Sequence, residues 1–211
     1  IFSLEIIIGE WTYLTILPTI IAAVSATEVS RWIMGNKIAF FQEIAGFSLT
    51  SLLACFALGA LTGIISILFA RSLLLWEKIF SKVSIHQWIR AAIGGLFVGI
   101  LGYFMPEVLS EGYSATQVFL TDTIRPELGF VLLFVLLKFL ACGMTLGSGG
   151  IGGVFAPSLV IGSGVGLAFG MILHSLPLDD VAEDAAFALA GMAGMVAGVM
   201  HGPLTGIFLV M

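Results

Sequence analysis

Apolar residues dominate this chain in long blocks, and the charges are confined to the joints between them. No Asp, Glu, Lys or Arg falls within residues 11–27, 44–70, 91–106 or 139–178. A membrane-crossing helix needs about 20 apolar residues, so the fourth block must hold more than one helix. Its break is residues 147–157, which read G-S-G-G-I-G-G-V-F-A-P. Irregular backbone facing lipid is not tolerated, because each unsatisfied N–H or C=O costs several kcal/mol; such breaks survive only when buried in protein or lining a polar cavity. The stretch therefore reads as a ligand-facing interruption between two helices.

The same pattern predicts the remaining elements. Residues 1–11 form the end of a membrane helix, with Glu5 and Glu10 near its exit. A second helix covers 13–34 with Pro18 near its first turn, and 31–43 is a polar loop. A long helix runs from 44 to about 75, longer than the hydrocarbon core and so expected to tilt or protrude. Arg71, Lys78, Lys82 and Arg90 mark 71–90 as a cytoplasmic connection by the positive-inside rule. Residues 91–105 cross outward, and the acidic connections 106–127 and 176–184 fit the outer side. Helices follow over 128–145, 155–173 and 185–200, and another starts at Pro203 and runs to 211. Glycines recur at helical spacing at 59 and 63, at 95 and 99, at 162, 166 and 170, and at 194, 198 and 202. Such small-residue faces let helices approach closely in lipid.

Composition agrees with this pattern. The 211 residues are 59% hydrophobic and 10% charged, against roughly 25% charged in soluble proteins, and the mean hydropathy is +1.15. A net charge of −5 without a basic face argues against nucleic acid as a partner. Cys55 and Cys142 lie in apolar runs and read as buried small hydrophobes rather than a disulfide or metal framework. The chain starts and stops inside apolar runs, which reads as a fragment of a longer protein. Residues 206–211 echo residues 1–5, as expected if one repeat unit passes into the matching place of a second.

Gly147, Gly149 and Gly152 satisfy G-x-G-x-x-G, but a membrane helix rather than a strand precedes them, so a dinucleotide site is rejected. The stretch offers instead N–H groups with little side chain in the way, just before a helix whose first turn holds Pro157. A helix N-terminus combines free donors with about half a positive charge and accepts an anion without a cationic side chain. On the glycines alone, a tight interhelical turn is the favoured reading. Lys138, inside an apolar helix, fits either attraction of anions or snorkelling and pairing with an acid or a carbonyl. Glu5 fits a helix-end group or part of a proton route, and His86, His174 and His201 fit helix ends. No paired acids, metal cluster or nucleophile with a base can be assembled from the membrane segments, so an enzyme is not expected.

The sequence G-S-G-G-I-G-G-V-F-A-P-S-L resembles the G-x-F-x-P selectivity-filter motif of the CLC chloride channels and chloride/proton antiporters. Three further stretches carry the likeness: I-F-S-L-E-I-I-I-G-E-W at 1–11, P-E-V-L-S-E-G-Y at 106–113, and A-G-M-A-G-M-V-A-G-V-M-H-G-P-L-T-G-I-F-L at 190–209. The resemblance implies an all-α membrane protein, a CLC-type inverted-repeat bundle of tilted and broken transmembrane helices. Residues 1 to about 75 would end the first repeat, and about 89–211 would supply most of the second. It implies chloride as ligand, without another cofactor, and backbone amides of Gly152, Gly153, Val154, Phe155 and Ala156 around the anion, with the Phe155 side chain lining the pathway. It also implies a homodimer through 1–34 and 203–211, in the inner membrane of a prokaryote.

The family's G-S-G-I-P motif, its gating-glutamate motif G-x-E-G-P and its ion-coordinating tyrosine are not in these residues. Where the antiporters carry an inner proton-transfer glutamate, just after the position of Glu5, this chain has Ile6, which cannot take a proton. Channel behaviour and exchange through a substitute acid both stay open. The rival readings are another secondary transporter with a glycine-broken helix and a non-transporting membrane scaffold.

Overall fold

The computed structural model describes residues 2–9, 12–35, 48–83, 85–120, 126–177 and 181–210. Ile1, Glu10, Trp11, residues 36–47 with the expected start of the long helix, residues 121–125 and 178–180, and Met211, all part of the expectations above, lie outside them. The elements are a π-helical turn Ser3–Ile8, α1 Tyr13–Met34, α2 Leu49–Ser81, α3 Gln87–Phe104, a 3-10 turn Pro106–Val108, α4 Tyr113–Leu120, α5 Leu128–Gly147, α6 Phe155–His174, α7 Asp184–Met200 and α8 Pro203–Val210. Every described element is helical, and five helices, α1, α2, α3, α5 and α6, are long and apolar enough to cross a membrane. The chain is thus an all-helical, multi-pass integral membrane protein.

Most boundaries follow local chemistry. Ser48 caps α2 by accepting the Ser51 amide at 3.1 Å. Gly9, at φ 70°, ends the first turn in the left-handed region that glycine enters without steric penalty. Pro18 lies in the second turn of α1, not the first, so its ring removes one i→i−4 bond from the ladder. Helix α2 extends to Ser81, about 50 Å at 1.5 Å per residue. Arg71 and Lys78 are therefore on α2 and Arg90 on α3, and the connection narrows to residues 82–86. Arg90 Nη1 closes that junction by donating to the Phe80 carbonyl at 3.1 Å.

Helix α6 is the centre of the bundle, with residues 158–168 all buried. It packs most extensively on α7, where a Cβ on Gly162 would lie 2.9 Å from the Met192 Cα and one on Gly166 would run into the Phe187 carbonyl. The backbones touch because no side chain stands between them. Helix α2 meets α7 in the same way, Gly194 facing Thr62 and Gly198 facing Ser66, and meets α5 through Gly143 and Gly147 against Trp76. The buried hydroxyls return their protons to their own helices, as in Thr62 Oγ1 to Leu58 O at 3.0 Å and Ser163 Oγ to Val160 O at 2.8 Å. No hydroxyl in those pairs is left unpaired in an apolar setting.

Not every glycine pair packs. Gly59, Gly63, Gly95 and Gly99 have the right spacing, but a Cβ on any of them would meet nothing within 4 Å among the described residues. The acidic connection 106–127 also differs from a plain loop. It holds α4, whose Ala115, Thr116, Phe119 and Leu120 are buried against α6 and α7.

Candidate functional site

Helix α5 ends at Gly147, and the glycines after it fold back over its last carbonyls. The amides of Ser148, Gly149 and Gly150 donate to Met144, Leu146 and Thr145 at 3.1, 3.1 and 2.9 Å. Gly149 does this at φ 91°, and a Cβ on Gly150 would lie 2.8 Å from the Thr145 carbonyl, so side chains are excluded at both. Three of the last four carbonyls of α5 are thus satisfied internally.

The amide end of α6 is not. Val154 is the residue before the first turn, and the helical ladder opens with Ser158 N to Val154 O at 3.0 Å. Among the described residues, the amides of Gly152, Gly153, Val154, Phe155 and Ala156 donate to no acceptor. Pro157 follows with no N–H to add. The Ile151 amide before them is unpaired as well among the described residues, so six consecutive N–H groups, those of 151–156, stand at or just before the positive end of a 20-residue helix. Gly152, Gly153, Ala156 and Pro157 line a cavity of about 430 Å³, closed on other sides by Lys138, Cys142, Thr145, Val108 and Glu111.

Lys138 reaches this cavity from α5. It is 3% exposed, has no carboxylate within 4.0 Å among the described residues, and donates from Nζ to Val108 O at 2.9 Å and Ser110 O at 2.7 Å. Of the two sequence readings, pairing with carbonyls is what the geometry displays. An ammonium has three donors, and two are committed to the turn that follows α3.

Phe155 is half-buried at the head of α6, and its ring meets Phe2 edge-on at 5.0 Å and 64°. Glu5 and Ile6 do not line the cavity. They sit at the start of α8, where Glu5 Oε1 accepts the Leu204 amide at 2.9 Å, and Oε2 accepts the Thr205 amide at 2.6 Å and the Thr205 hydroxyl at 2.7 Å. Glu5 lies outside the five spanning helices. Partial desolvation works against its charge, but the Thr205 hydroxyl and the amides of Leu204 and Thr205 outweigh that and hold the carboxyl below its usual range. Ile6 turns its Cδ1 toward Gly202.

Sequence reasoning passed over Phe2 and Thr205, and it read His174 only as a helix-end residue. Nδ1 of His174 lies 2.7 Å from Asp184 Oδ1 and 3.0 Å from the Gly170 carbonyl, joining the end of α6 to the start of α7. The acids of 176–184 were a signal for that pair, but their spacing did not say which one turns inward.

The chain resembles proteins of one kind throughout. A family profile described as voltage gated chloride channel matches residues 1–211. A ClcB-like chloride channel protein from Ralstonia nicotianae is 31% identical over 215 residues, spanning 100% of this chain and 49% of the relative. The voltage-gated ClC-type chloride channel ClcB of Escherichia coli is 31% identical over 208 residues, spanning 97% and 49%. The crystal structure of a slow cyanobacterial Cl−/H+ antiporter superposes with a TM-score of 0.77 at 30% identity, over 89% of this chain and 44% of that one. The chain spans about half the length of the curated relatives it matches.

Proposed function

This chain belongs to the voltage-gated chloride channel family, and from that premise we propose that it supplies one wall of a pathway carrying chloride or a similar small anion across a membrane. The observation that carries the reading is the run of six unpaired amides, 151–156, at the head of α6 beside the cavity. Aligned N–H groups with the helix dipole behind them replace part of an anion's hydration shell. Partial charges favour entry without holding the ion as a full cation would, so exit stays fast. Lys138 adds a positive charge to the cavity while its two carbonyl bonds hold it in place. The Phe155 ring lies against Phe2 at the head of α6, outside the residues that line the cavity, and on this reading it borders the path with an apolar face.

The same reading makes the protein one subunit of a homodimer in the inner membrane of a prokaryote, as supported by its bacterial relatives. Among the described side chains of helix α1 none is buried, and Ile207 and Phe208 of α8 are exposed. Those surfaces within 1–34 and 203–211 suit contact with a second copy.

The test is halide flux from liposomes reconstituted with the full-length protein. Wild type is expected to release chloride, and bulky or polar replacement of Phe155 is expected to change the ratio of chloride to bromide flux while expression holds. An unchanged ratio across several substitutions would sink the assignment. Ile6 argues against the usual proton route, since an isoleucine packed on Gly202 carries no proton, and leaves a channel or exchange through a substitute acid. Paired pH recordings check this: a chloride gradient is expected to drive no uphill proton movement, and stoichiometric proton flux would reverse it.

A further inference from the structure

The segment 2–8 touches the heads of both α6 and α8. Its core, Ser3–Ile8, is a π-helical turn, a rare geometry that is frequent at functional positions. Leu4 is buried and roots the turn in the bundle. At one end Phe2 meets Phe155; at the other, both carboxylate oxygens of Glu5 are taken up by Leu204 and Thr205.

The junction beneath Glu5 is tightly determined. A Cβ on Gly202 would lie 2.9 Å from Ile6 Cδ1 and 3.1 Å from Glu5 Oε2, so only glycine fits there without displacement. His201, just before it, holds φ 55°, in the left-handed region that favours glycine. Such a conformation persists only where the surroundings over-determine it. Three hydrogen bonds onto one carboxylate at the start of α8 provide that constraint. They also require a carboxylate, because all the converging groups are donors and an ionised acid is acceptor-only.

Building on the assignment of Phe155 to the anion path, we propose that Glu5 is a positioning residue for anion selection. Its carboxylate fastens the π-helical turn to the head of α8, and the fastened turn presses Phe2 against the Phe155 ring and so sets that ring's orientation. Glu5 acts through Phe155, without touching the anion.

The experiment measures the bromide-to-chloride flux ratio of the full-length protein in liposomes for wild type, Glu5→Gln, Thr205→Val, Thr205→Ser, Phe155→Ala and the double variant Glu5→Gln/Phe155→Ala. Glu5→Gln turns an NH2 group toward converging donors and is expected to shift the ratio about two- to ten-fold. Thr205→Val, which loses only the hydroxyl, shifts it less and in the same direction, and Thr205→Ser restores the wild-type ratio. In the Phe155→Ala background, Glu5→Gln adds nothing. If Glu5→Gln does not assemble as a monodisperse protein, the two Thr205 variants carry the comparison. Wild-type ratios in Glu5→Gln and Thr205→Val, or additivity in the double variant, would overturn the role of Glu5 while leaving Phe155 in the path. A wild-type ratio in Phe155→Ala would remove the pathway assignment itself.

Discussion

The ammonium of Lys138 donates to the carbonyl oxygen of Ser110 at 2.7 Å, and Ser110 holds φ 57° where that bond is made. A buried cation on α5 thus stabilises a left-handed turn after α3. The turn and the cation border the same cavity as Gly152 and Gly153. One side chain thus ties a local backbone shape to a charge at the edge of the cavity.

Replacing Lys138 with Met keeps the apolar stem and removes both donated bonds, leaving the Val108 and Ser110 carbonyls without their donor. Losing charge-assisted bonds to buried carbonyls is expected to lower stability by about 2–3 kcal/mol. Thermal unfolding of the detergent-solubilised full-length protein reads this directly. An unchanged midpoint would mean that the turn does not depend on Lys138.

Ser110→Gly is expected to stabilise. A residue with a Cβ in the left-handed region is disfavoured by roughly 1–2 kcal/mol, and glycine is free of that penalty. Part of the gain is offset by the greater freedom of glycine in the unfolded chain. The net expectation is a rise of about 1 kcal/mol, seen as a higher unfolding midpoint. A fall would show that the serine side chain stabilises the turn by more than its strain.

Gly166 and Gly63 make a controlled pair. A methyl on Gly166 meets the Phe187 main chain, which cannot move aside as a flexible side chain can. Gly166→Ala is expected to cost about 3 kcal/mol, at the upper end for overpacking, and to reduce the yield of monodisperse protein. Gly63→Ala meets nothing within 4 Å among the described residues and is expected to leave yield unchanged. Equal behaviour of the two on size-exclusion chromatography would contradict the packing of α6 on α7.

Glu5 predicts a pH dependence of stability. Its carboxyl is held below the ordinary value near 4.5 in the folded protein, so the folded state favours the charged form. The contribution is present above the unfolded value and is lost as pH falls through the lowered folded one. The unfolding midpoint should therefore drop as pH is taken below about 4.5, and the drop should be shallower in Glu5→Gln. Identical pH profiles for the two proteins would remove the linkage.

Helices α1, α3, α5, α6 and α7 were legible as long apolar runs with few or no charges, ended by glycine, proline or polar residues, because crossing a bilayer requires length and apolarity that few other segments have. Helix α4 was not legible: its eight residues lie between acids, and its helical state comes from burying Ala115, Phe119 and Leu120 against α6 and α7. Glycine spacing identified smooth helix faces but not which of them meet a partner. The spacing of Gly59 and Gly63 equals that of Gly162 and Gly166, and only the second pair lies against another backbone.

At the candidate site the division is similar. The sequence by itself determined that an irregular, glycine-rich segment interrupts an apolar region and that a helix starts at Phe155, since glycine, proline and hydropathy act over a few neighbouring residues. That Lys138 bonds two carbonyls beside that segment, that Phe2 meets Phe155, and that Glu5 caps a helix some 200 residues away comes from the folded arrangement alone. Those contacts join parts of the chain whose distance in sequence carries no trace of their nearness, and they form because buried polar groups and helix ends must find partners where water is absent.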